Sequence, residues 1–163
     1  MINTTNDTIS NTISNTINNK QKIKAVISDL DGTLLNADHA LSEYSKSVVR
    51  LLAEEGVHFM IATGRHHRDA TQIKENLGVE SYLITANGAT VSNKEGELIY
   101  QAVIPRTIIE DILDIEVENG VFKNLYQGDH WLMEESDKVF DAYYQEGSFQ
   151  YTLCKFLDYL DKH

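Results

Sequence analysis

Residues 25–35 read AVISDLDGTLL, and this stretch decides the fold. A short apolar run leads into two aspartates, Asp29 and Asp31, and then into Gly32, which permits a tight bend. A short apolar run that ends in turn residues is typical of a buried strand followed by a loop. The sequence therefore predicts a strand over residues 24–28 whose carboxyl end presents two carboxylates.

The chain then alternates between helical and extended patterns up to residue 88. Strands that alternate with helices indicate a parallel sheet with helical crossovers. We therefore predict an α/β protein with a Rossmann-like parallel sheet core. The predicted elements are a helix over residues 41–55 with Ser42 as its N-cap, a strand over 57–62, a helix over 67–77 closed by Gly78, and a strand over 81–85.

The second half of the chain has a less regular pattern. Glycine-containing turns predict two pairs of short strands. Pro105 favours a helix start, since proline is tolerated in a first helical turn. The predicted elements are strands over residues 89–92 and 98–103, a helix from 105 to about 118, strands over 121–127 and 131–134, and a mostly helical segment over 137–163 with Leu153, Phe156, Leu157 and Leu160 on one stripe.

Polar clusters follow three successive predicted strands, at the sheet edge where open α/β proteins bind ligands. The second cluster contains Thr63, Gly64 and Arg65, and the third contains Asn87. A threonine hydroxyl and backbone N–H groups just before a helix form an anion site for phosphate oxygens. Arg65 is either a bidentate ligand of phosphate or the partner of a nearby acid. Asn87 adds an amide at the same edge.

The first cluster supplies the reactive groups. Two carboxylates as close as Asp29 and Asp31 repel each other, and a divalent cation relieves that repulsion. Beside such a cation, Asp29 could attack phosphorus and Asp31 could protonate the leaving oxygen. An isolated Asp-x-Asp sequence is more often a loop-capping feature. Its combination with polar clusters on the next two strands favours phosphoryl-transfer chemistry.

These residues resemble the motifs of a known family. DLDGTLL at residues 29–35 resembles the first motif of the haloacid dehalogenase-like hydrolases, and IATGR at 61–65 resembles the second. ITANGA at 84–89 is similar to the Asn-Gly-Ala segment of the Cof-type sugar-phosphatase branch. The order and spacing of that branch match from about residue 23 to at least residue 134.

The resemblance implies a Mg²⁺-dependent phosphatase that acts on small phosphate monoesters, such as sugar phosphates. It implies that Asp29 is the nucleophile that forms an aspartyl-phosphate, and that Asp31 is the acid/base with its backbone carbonyl on Mg²⁺. It also implies that Thr63 binds the transferring phosphoryl group. The expected domains are a hydrolase core over residues 23–103 and a partial α/β cap over 104–163.

Two further motifs of the family are not found in this sequence. One supplies a lysine that pairs with the nucleophile and the phosphate, and the other supplies aspartates that complete the Mg²⁺ site. We therefore expect a C-terminally truncated chain whose activity is impaired. The strand at residues 24–28 would then keep an unpaired apolar edge. A second hypothesis is that a separate chain supplies the missing half.

Composition narrows the functional classes. The 163 residues carry a net charge of −11, which disfavours binding to nucleic acids and to anionic membranes. A single cysteine, Cys154, fits a reducing compartment, and no apolar run is long enough for a membrane span, so we expect a cytoplasmic protein. Residues 1–22 repeat a four-residue unit rich in Asn, Thr, Ser and Ile, which predicts a disordered low-complexity tail.

Three other interpretations stay open at this point. The chain could be a catalytically inactive fragment, which the missing motifs favour. It could be a nucleotide-sugar transferase that uses Asp-x-Asp for a metal, although Asp29 on the first strand and Thr63 on the next disfavour this. It could be a phospho-acceptor receiver domain, but the acids of such domains are spread over several strands.

Overall fold

The computed structural model describes residues 23–118, 121–135 and 149–163. The chain divides into two units, one that ends at Ala102 and one that spans Val103–His163. The predicted tail over residues 1–22 lies outside the described residues, and so does most of the helical segment predicted to begin at residue 137. The interpretation of the two units as a hydrolase core and a partial cap stays a prediction.

The first unit is built on a five-stranded sheet with the order β1-β2-β3-β4-β5. The first three strands are parallel, and the last two are added antiparallel. This arrangement confirms the predicted α/β class. The elements are β1 (Ala25–Ser28), α1 (Glu43–Glu54), β2 (His58–Ala62), α2 (His67–Leu77), β3 (Ser81–Thr85), β4 (Thr90–Ser92) and β5 (Leu98–Gln101).

The two helices begin and end within two residues of the predicted positions. Ser42 is the N-cap of α1, and its Oγ accepts a hydrogen bond from the Ser45 N–H at 3.0 Å. This contact satisfies one of the free N–H groups of the first helical turn. Gly78 ends α2 with a φ of 73°, a left-handed conformation that favours glycine. Local chemistry thus sets the lengths of both crossover helices.

One face of the parallel strands forms the core of the first unit. Side chains alternate between the faces of a strand, so Phe59 and Ile61 of β2 and Leu83 of β3 point to the same side. They are each at most 3% exposed and cluster with Val49 of α1 and Leu77 of α2. The amphipathic faces of the two helices therefore exclude water from this side of the sheet.

The other face of the sheet, which we call the open face, is not covered by a helix of the described residues. Ile27 of β1 is 59% exposed, and the face it shares with Met60 and Tyr82 contains no residue of the buried core. Among the described residues, β1 pairs with β2 alone, so its outer edge is unpaired. The predicted apolar edge on the first strand is therefore confirmed.

The second unit contains a three-stranded sheet with the order β6-β7-β8. Trp131 and Met133 of the central strand pack with Phe149 to form its core. The Trp131 Nε1–H donates to Asn124 Oδ1 at 2.8 Å, so the buried indole keeps a polar partner. The elements are α3 (Arg106–Leu113), β6 (Leu125–Gln127), β7 (His130–Met133), β8 (Tyr151–Leu153) and α4 (Phe156–Leu160).

Two sequence predictions for this unit are wrong. The helix predicted to reach residue 118 ends at Leu113, where the Lys123 ammonium donates to the carbonyls of Leu113 and Ile115 and satisfies its last turn. Leu153 lies in a strand rather than on a helical stripe. Its strand pairs in parallel with β7, and the N–H of Cys154 donates to the Met133 carbonyl at 2.9 Å.

Within the described stretches, the helices are all too short or too polar to cross a membrane.

Candidate active site

The loop after β1 wraps around one buried side chain. Leu30 is fully buried, whereas Asp29 and Asp31 on either side of it are exposed. The Leu35 N–H donates to the Leu30 carbonyl at 2.9 Å, and Gly32 turns the chain with a φ of 72°. Leu30 therefore anchors the loop in the core while the two carboxylates stand at the carboxyl end of β1.

Arg65 joins the first loop to the loop after β2. Its Nε donates to Asp31 Oδ2 at 2.8 Å and its Nη2 donates to Asp31 Oδ1 at 2.6 Å, which is a bidentate contact. Its Nη1 donates to Asp69 Oδ2 at 2.9 Å on the first turn of α2. The Arg65 and Asp69 side chains are only 15% and 14% exposed. The sequence left two roles open for Arg65, a ligand of phosphate and the partner of an acid. In the structure Arg65 pairs with acids.

The Asp31 carboxylate is held in its ionised form. The hydrogen bond from Arg65 lowers the pKa of Asp31 below 3.8, against the opposing effect of partial burial. His39 adds a smaller effect in the same direction, with its Nδ1 3.3 Å from Asp31 Oδ1. The backbone of His39 is left-handed, with a φ of 55°. This conformation brings the imidazole back over the loop that contains Asp31.

Asp29 is different from its neighbour. Across the three described stretches, its carboxylate makes no hydrogen bond and no ion pair. Its backbone is extended, with φ −72° and ψ 165°, so the side chain continues the alternation of β1 at the carboxyl end of the sheet. An exposed carboxylate without a cationic partner is available as a nucleophile or as a metal ligand.

Backbone hydrogen bonds hold the second and third polar clusters together. The Thr63 Oγ1 accepts from the Arg65 N–H at 3.1 Å, and Thr63 itself is 7% exposed. The N–H of Asn87 donates to the Thr63 carbonyl at 3.2 Å, and the N–H of Ala86 donates to the Arg65 carbonyl at 2.9 Å. The loops that follow β2 and β3 therefore form one connected structure.

Gly64 lies close to the Asn87 side chain. A Cβ atom at position 64 would lie 3.0 Å from the Asn87 Oδ1, so the asparagine side chain would have to move by a few tenths of an ångström. Asn87 has a φ of 56°, a left-handed conformation that asparagine adopts more readily than most residues. The asparagine amide therefore sits directly against the glycine of the second cluster.

The resemblance implies Mg²⁺, and the donors at the end of β1 fit that ion. The Asp29 carboxylate and the Asp31 backbone carbonyl are hard oxygen ligands, which Mg²⁺ prefers together with water and substrate phosphate. Both side-chain oxygens of Asp31 are engaged by Arg65, so its carboxylate is not a free ligand. The described residues contain no group of three or more His, Cys, Asp or Glu side chains that could hold a metal.

All six residues predicted for the site lie in loops at the carboxyl ends of β1, β2 and β3. The structure joins Asp31 to Arg65 and Thr63 to Asn87. Sequence reasoning missed Asp69 and His39. Asp69 had a signal, because it lies four residues after Arg65 at the start of a helix, where such pairs meet. His39 had none, because its contact depends on the path of a loop.

Sequence comparison assigns the chain to a family. A family profile described as haloacid dehalogenase-like hydrolase matches residues 26–163. The chain belongs to the haloacid dehalogenase-like hydrolases. The resemblance drawn from the three loop motifs is thereby confirmed.

Named relatives and a solved structure support this assignment. A protein from Buchnera aphidicola subsp. Baizongia pistaciae, whose name describes a phosphatase, is 33% identical over 138 residues, 84% of this chain and 52% of the relative. An HMP-PP phosphatase from Yersinia pestis (strain Pestoides F) is 34% identical over 109 residues, 67% of this chain and 40% of the relative.

A structure of a haloacid dehalogenase-like hydrolase from B. subtilis is 30% identical to this chain, with a TM-score of 0.67. The similarity covers 72% of this chain and 41% of that one. The chain thus spans about half the length, or less, of the relatives it matches.

Proposed function

We propose that this chain carries the nucleophile and phosphate-binding loops of a Mg²⁺-dependent phosphatase for small phosphate monoesters, sugar phosphates or compounds of similar size. The observation that carries the proposal is the bidentate contact of Arg65 with Asp31, which connects two loops 34 residues apart in sequence. This contact leaves the Asp29 carboxylate without a cationic partner at the end of β1. Family membership and the names of the relatives support the same chemistry.

Asp29 performs the first step of the proposed reaction. A carboxylate oxygen of Asp29 attacks phosphorus, and the bond between phosphorus and the alcohol oxygen of the substrate breaks. The product is an aspartyl-phosphate, and water then attacks its phosphorus to release inorganic phosphate and restore the carboxylate. Bound Mg²⁺, held by the Asp29 carboxylate and the Asp31 carbonyl, would neutralise the phosphate charge as a Lewis acid.

Asp31 transfers the protons. It gives a proton to the leaving alcohol oxygen and later takes one from the attacking water. Its lowered pKa suits the second role, because the ionised form is the base. Protonation for the first role requires the contact with Arg65 to weaken when substrate binds.

Thr63 and the backbone around it bind the phosphoryl group. The Thr63 hydroxyl accepts from the Arg65 N–H, which leaves its own proton free to donate to a phosphate oxygen. Asn87 lies beside Gly64 and adds an amide donor at the same place. Burial raises the pKa of the Cys154 thiol, which disfavours its reactive thiolate form. A free thiol of this kind also suits the cytoplasm.

Covalent trapping of Asp29 tests this proposal directly. Beryllium fluoride with Mg²⁺ mimics an aspartyl-phosphate, and its binding is visible in ¹⁹F NMR spectra of the full chain even when turnover is slow. We expect a bound signal in the wild type and in the control Asp111→Asn, and none in Asp29→Asn. A signal that survives in Asp29→Asn, or one that is absent from the wild type, contradicts the proposal.

We also propose that the chain alone is a poor catalyst and that a second polypeptide completes it. The unpaired edge of β1 in the described residues supports this view. An apolar edge strand with free N–H and C=O groups readily accepts another strand. A partner strand on this edge would also bring further side chains close to Asp29.

Complementation tests this second proposal. The purified chain is mixed with the segment of the Buchnera relative that the match does not cover, and release of phosphate from a sugar phosphate is measured. We expect activity to rise at least about tenfold, a barrier change near 1.4 kcal/mol, and amide signals of Ala25 and Ile27 to shift. Rapid hydrolysis by the chain alone, or no change on mixing, contradicts it.

A further inference from the structure

The contact between Arg65 and Asp69 has no role in the proposed reaction. We propose that Asp69 is a positioning residue, which holds Arg65 against Asp31 and keeps the guanidinium from binding the substrate phosphate. The geometric part of this inference rests on the ion pairs alone. Its consequence for catalysis rests on the proposed phosphatase function.

The first argument is the way in which Arg65 distributes its donors. A guanidinium is planar, and its N–H groups point outward from fixed edges. Asp31 takes the edge formed by Nε and Nη2, and Asp69 takes Nη1. Contacts on two edges fix both the position and the plane of the group more firmly than a single bidentate partner would.

The second argument is that Asp69 is the anchored member of the three. It lies in the first turn of α2, where its N–H donates to the His66 carbonyl at 3.1 Å and where the helix dipole favours a negative charge. Its side chain is 14% exposed, compared with 44% for Asp31. The helix therefore fixes Asp69, Asp69 fixes Arg65, and Arg65 fixes the carboxylate on the more exposed loop.

The third argument is charge. Two carboxylates and one guanidinium have a net charge of −1, so the group as a whole repels a further anion instead of attracting it. A phosphate that approaches Thr63 therefore meets a guanidinium that is already neutralised. Removal of the Asp69 charge takes one carboxylate away from the guanidinium, so its positive charge attracts the phosphate more strongly.

The test compares four forms of the full chain: wild type, Asp69→Asn, Asp69→Glu and Glu43→Gln. Glu43 is the matched control, because it also lies in the first turn of a crossover helix and pairs with a cation, Lys46, at 2.8 Å. The Arg65 Nε–H signal in ¹⁵N NMR spectra is assigned by its loss in Arg65→Lys. Its exchange with water reports how firmly the guanidinium is held.

We expect Nε–H exchange to be at least about tenfold faster in Asp69→Asn than in the wild type, because one charge-assisted hydrogen bond is lost. Exchange should be intermediate in Asp69→Glu and unchanged in Glu43→Gln. Inorganic phosphate should bind about threefold or more tightly to Asp69→Asn, since a negative charge is removed near the site. Unchanged exchange, or weaker phosphate binding, overturns the proposal.

Turnover with Mg²⁺ and a sugar phosphate separates this inference from the proposed function. In Asp69→Asn we expect kcat to fall and KM to stay the same or decrease, because a guanidinium that binds phosphate slows the release of the product. A higher KM with unchanged kcat would make Arg65 a phosphate ligand and overturn the inference. A wild-type chain without turnover contradicts only the proposed activity, because Nε–H exchange still decides the role of Asp69. If Asp69→Asn does not fold, slowed or unchanged exchange in Asp69→Glu overturns the inference.

Discussion

The two faces of the five-stranded sheet come from the same strands but have opposite environments. Ile61 lies on the face covered by α1 and α2 and is fully buried, whereas Ile27 on the opposite face is 59% exposed. Both are β-branched apolar residues on neighbouring parallel strands, only one position apart in register. The difference teaches that strand propensity accounts for both strands, while packing against α1, α2 and the loop that contains Leu30 decides which face becomes a core.

The comparison also explains where the site lies. The loops that follow β1, β2 and β3 lie beyond both faces, at the carboxyl ends of the strands. Leu30 connects the first loop to the helix-covered core, so the buried face supports the carboxylates. The open face gives the site no such support from the described residues.

The largest expected effect comes from removing a buried side chain on the face of the sheet that α1 and α2 cover. Ile61→Ala removes a fully buried side chain and leaves a cavity, which should lower the free energy of unfolding by about 2–5 kcal/mol. Ile27→Ala, on the open face, should change it by less than about 1 kcal/mol. Urea unfolding followed by circular dichroism measures both, and equal losses would show that the open face is covered in solution.

A smaller effect is expected from destabilising α1, one of the two helices that cover the buried face of the sheet. Ser42→Ala removes the N-cap of α1 and should cost about 1 kcal/mol. The matched control is Ser47→Ala inside the same helix, where the Oγ donates to the Tyr44 carbonyl, and its cost should be below about 0.5 kcal/mol. The same urea titration reports both, and a larger loss in the control would refute the capping role.

The ion pair between Arg65 and Asp31, in the loops beyond both faces of the sheet, should make the free energy of unfolding depend on pH. The pKa of Asp31 is lowered by Arg65, so the ion pair stabilises the folded chain above the ordinary value of 3.8. This stabilisation is lost as the pH falls through the folded-state pKa. Relative to Asp31→Asn, the wild type should lose stability between pH 5 and pH 2 by less than about 1 kcal/mol, since the pair is partly exposed. Parallel curves for the two forms would contradict this.

The smallest change in stability is expected at the open edge, where association should change instead. Ile27→Lys places a charge on the unpaired edge of β1, a device that blocks strand addition between molecules. Sedimentation at rising protein concentration should show less self-association than in the wild type, with the same free energy of unfolding. Tyr44→Lys, which replaces an equally exposed aromatic residue on α1, should not have this effect.

Much of the first unit could be predicted because its signals are local. Ser42 and Gly78 mark helix ends through hydrogen bonds and backbone angles that involve only adjacent residues. The clusters around Asp29, Thr63 and Asn87 were placed correctly at the carboxyl ends of strands, because parallel topology follows from the alternation of elements. The roles of these residues in catalysis stay predictions.

The second unit was harder to predict, for physical reasons. Leu153 fits a helical stripe in sequence, but pairing with β7 places it in a strand, and no local pattern reveals that partner. The end of α3 depends on Lys123, ten residues further along the chain, whose ammonium satisfies the last carbonyls. Contacts between distant residues overrode local preference in both places.

By itself, the sequence determined the α/β class, the helix caps and the three loops that present polar side chains, because each depends on neighbouring residues or on periodicity. Only the tertiary structure decided that Arg65 pairs with Asp31 and that, in the part of the chain that the structure describes, one face of the sheet has no helical cover. These outcomes depend on which groups meet across 34 residues of chain and on which surfaces find cover. Burial and charge pairing depend on distances in the folded chain, so they select contacts between residues that no local sequence pattern distinguishes.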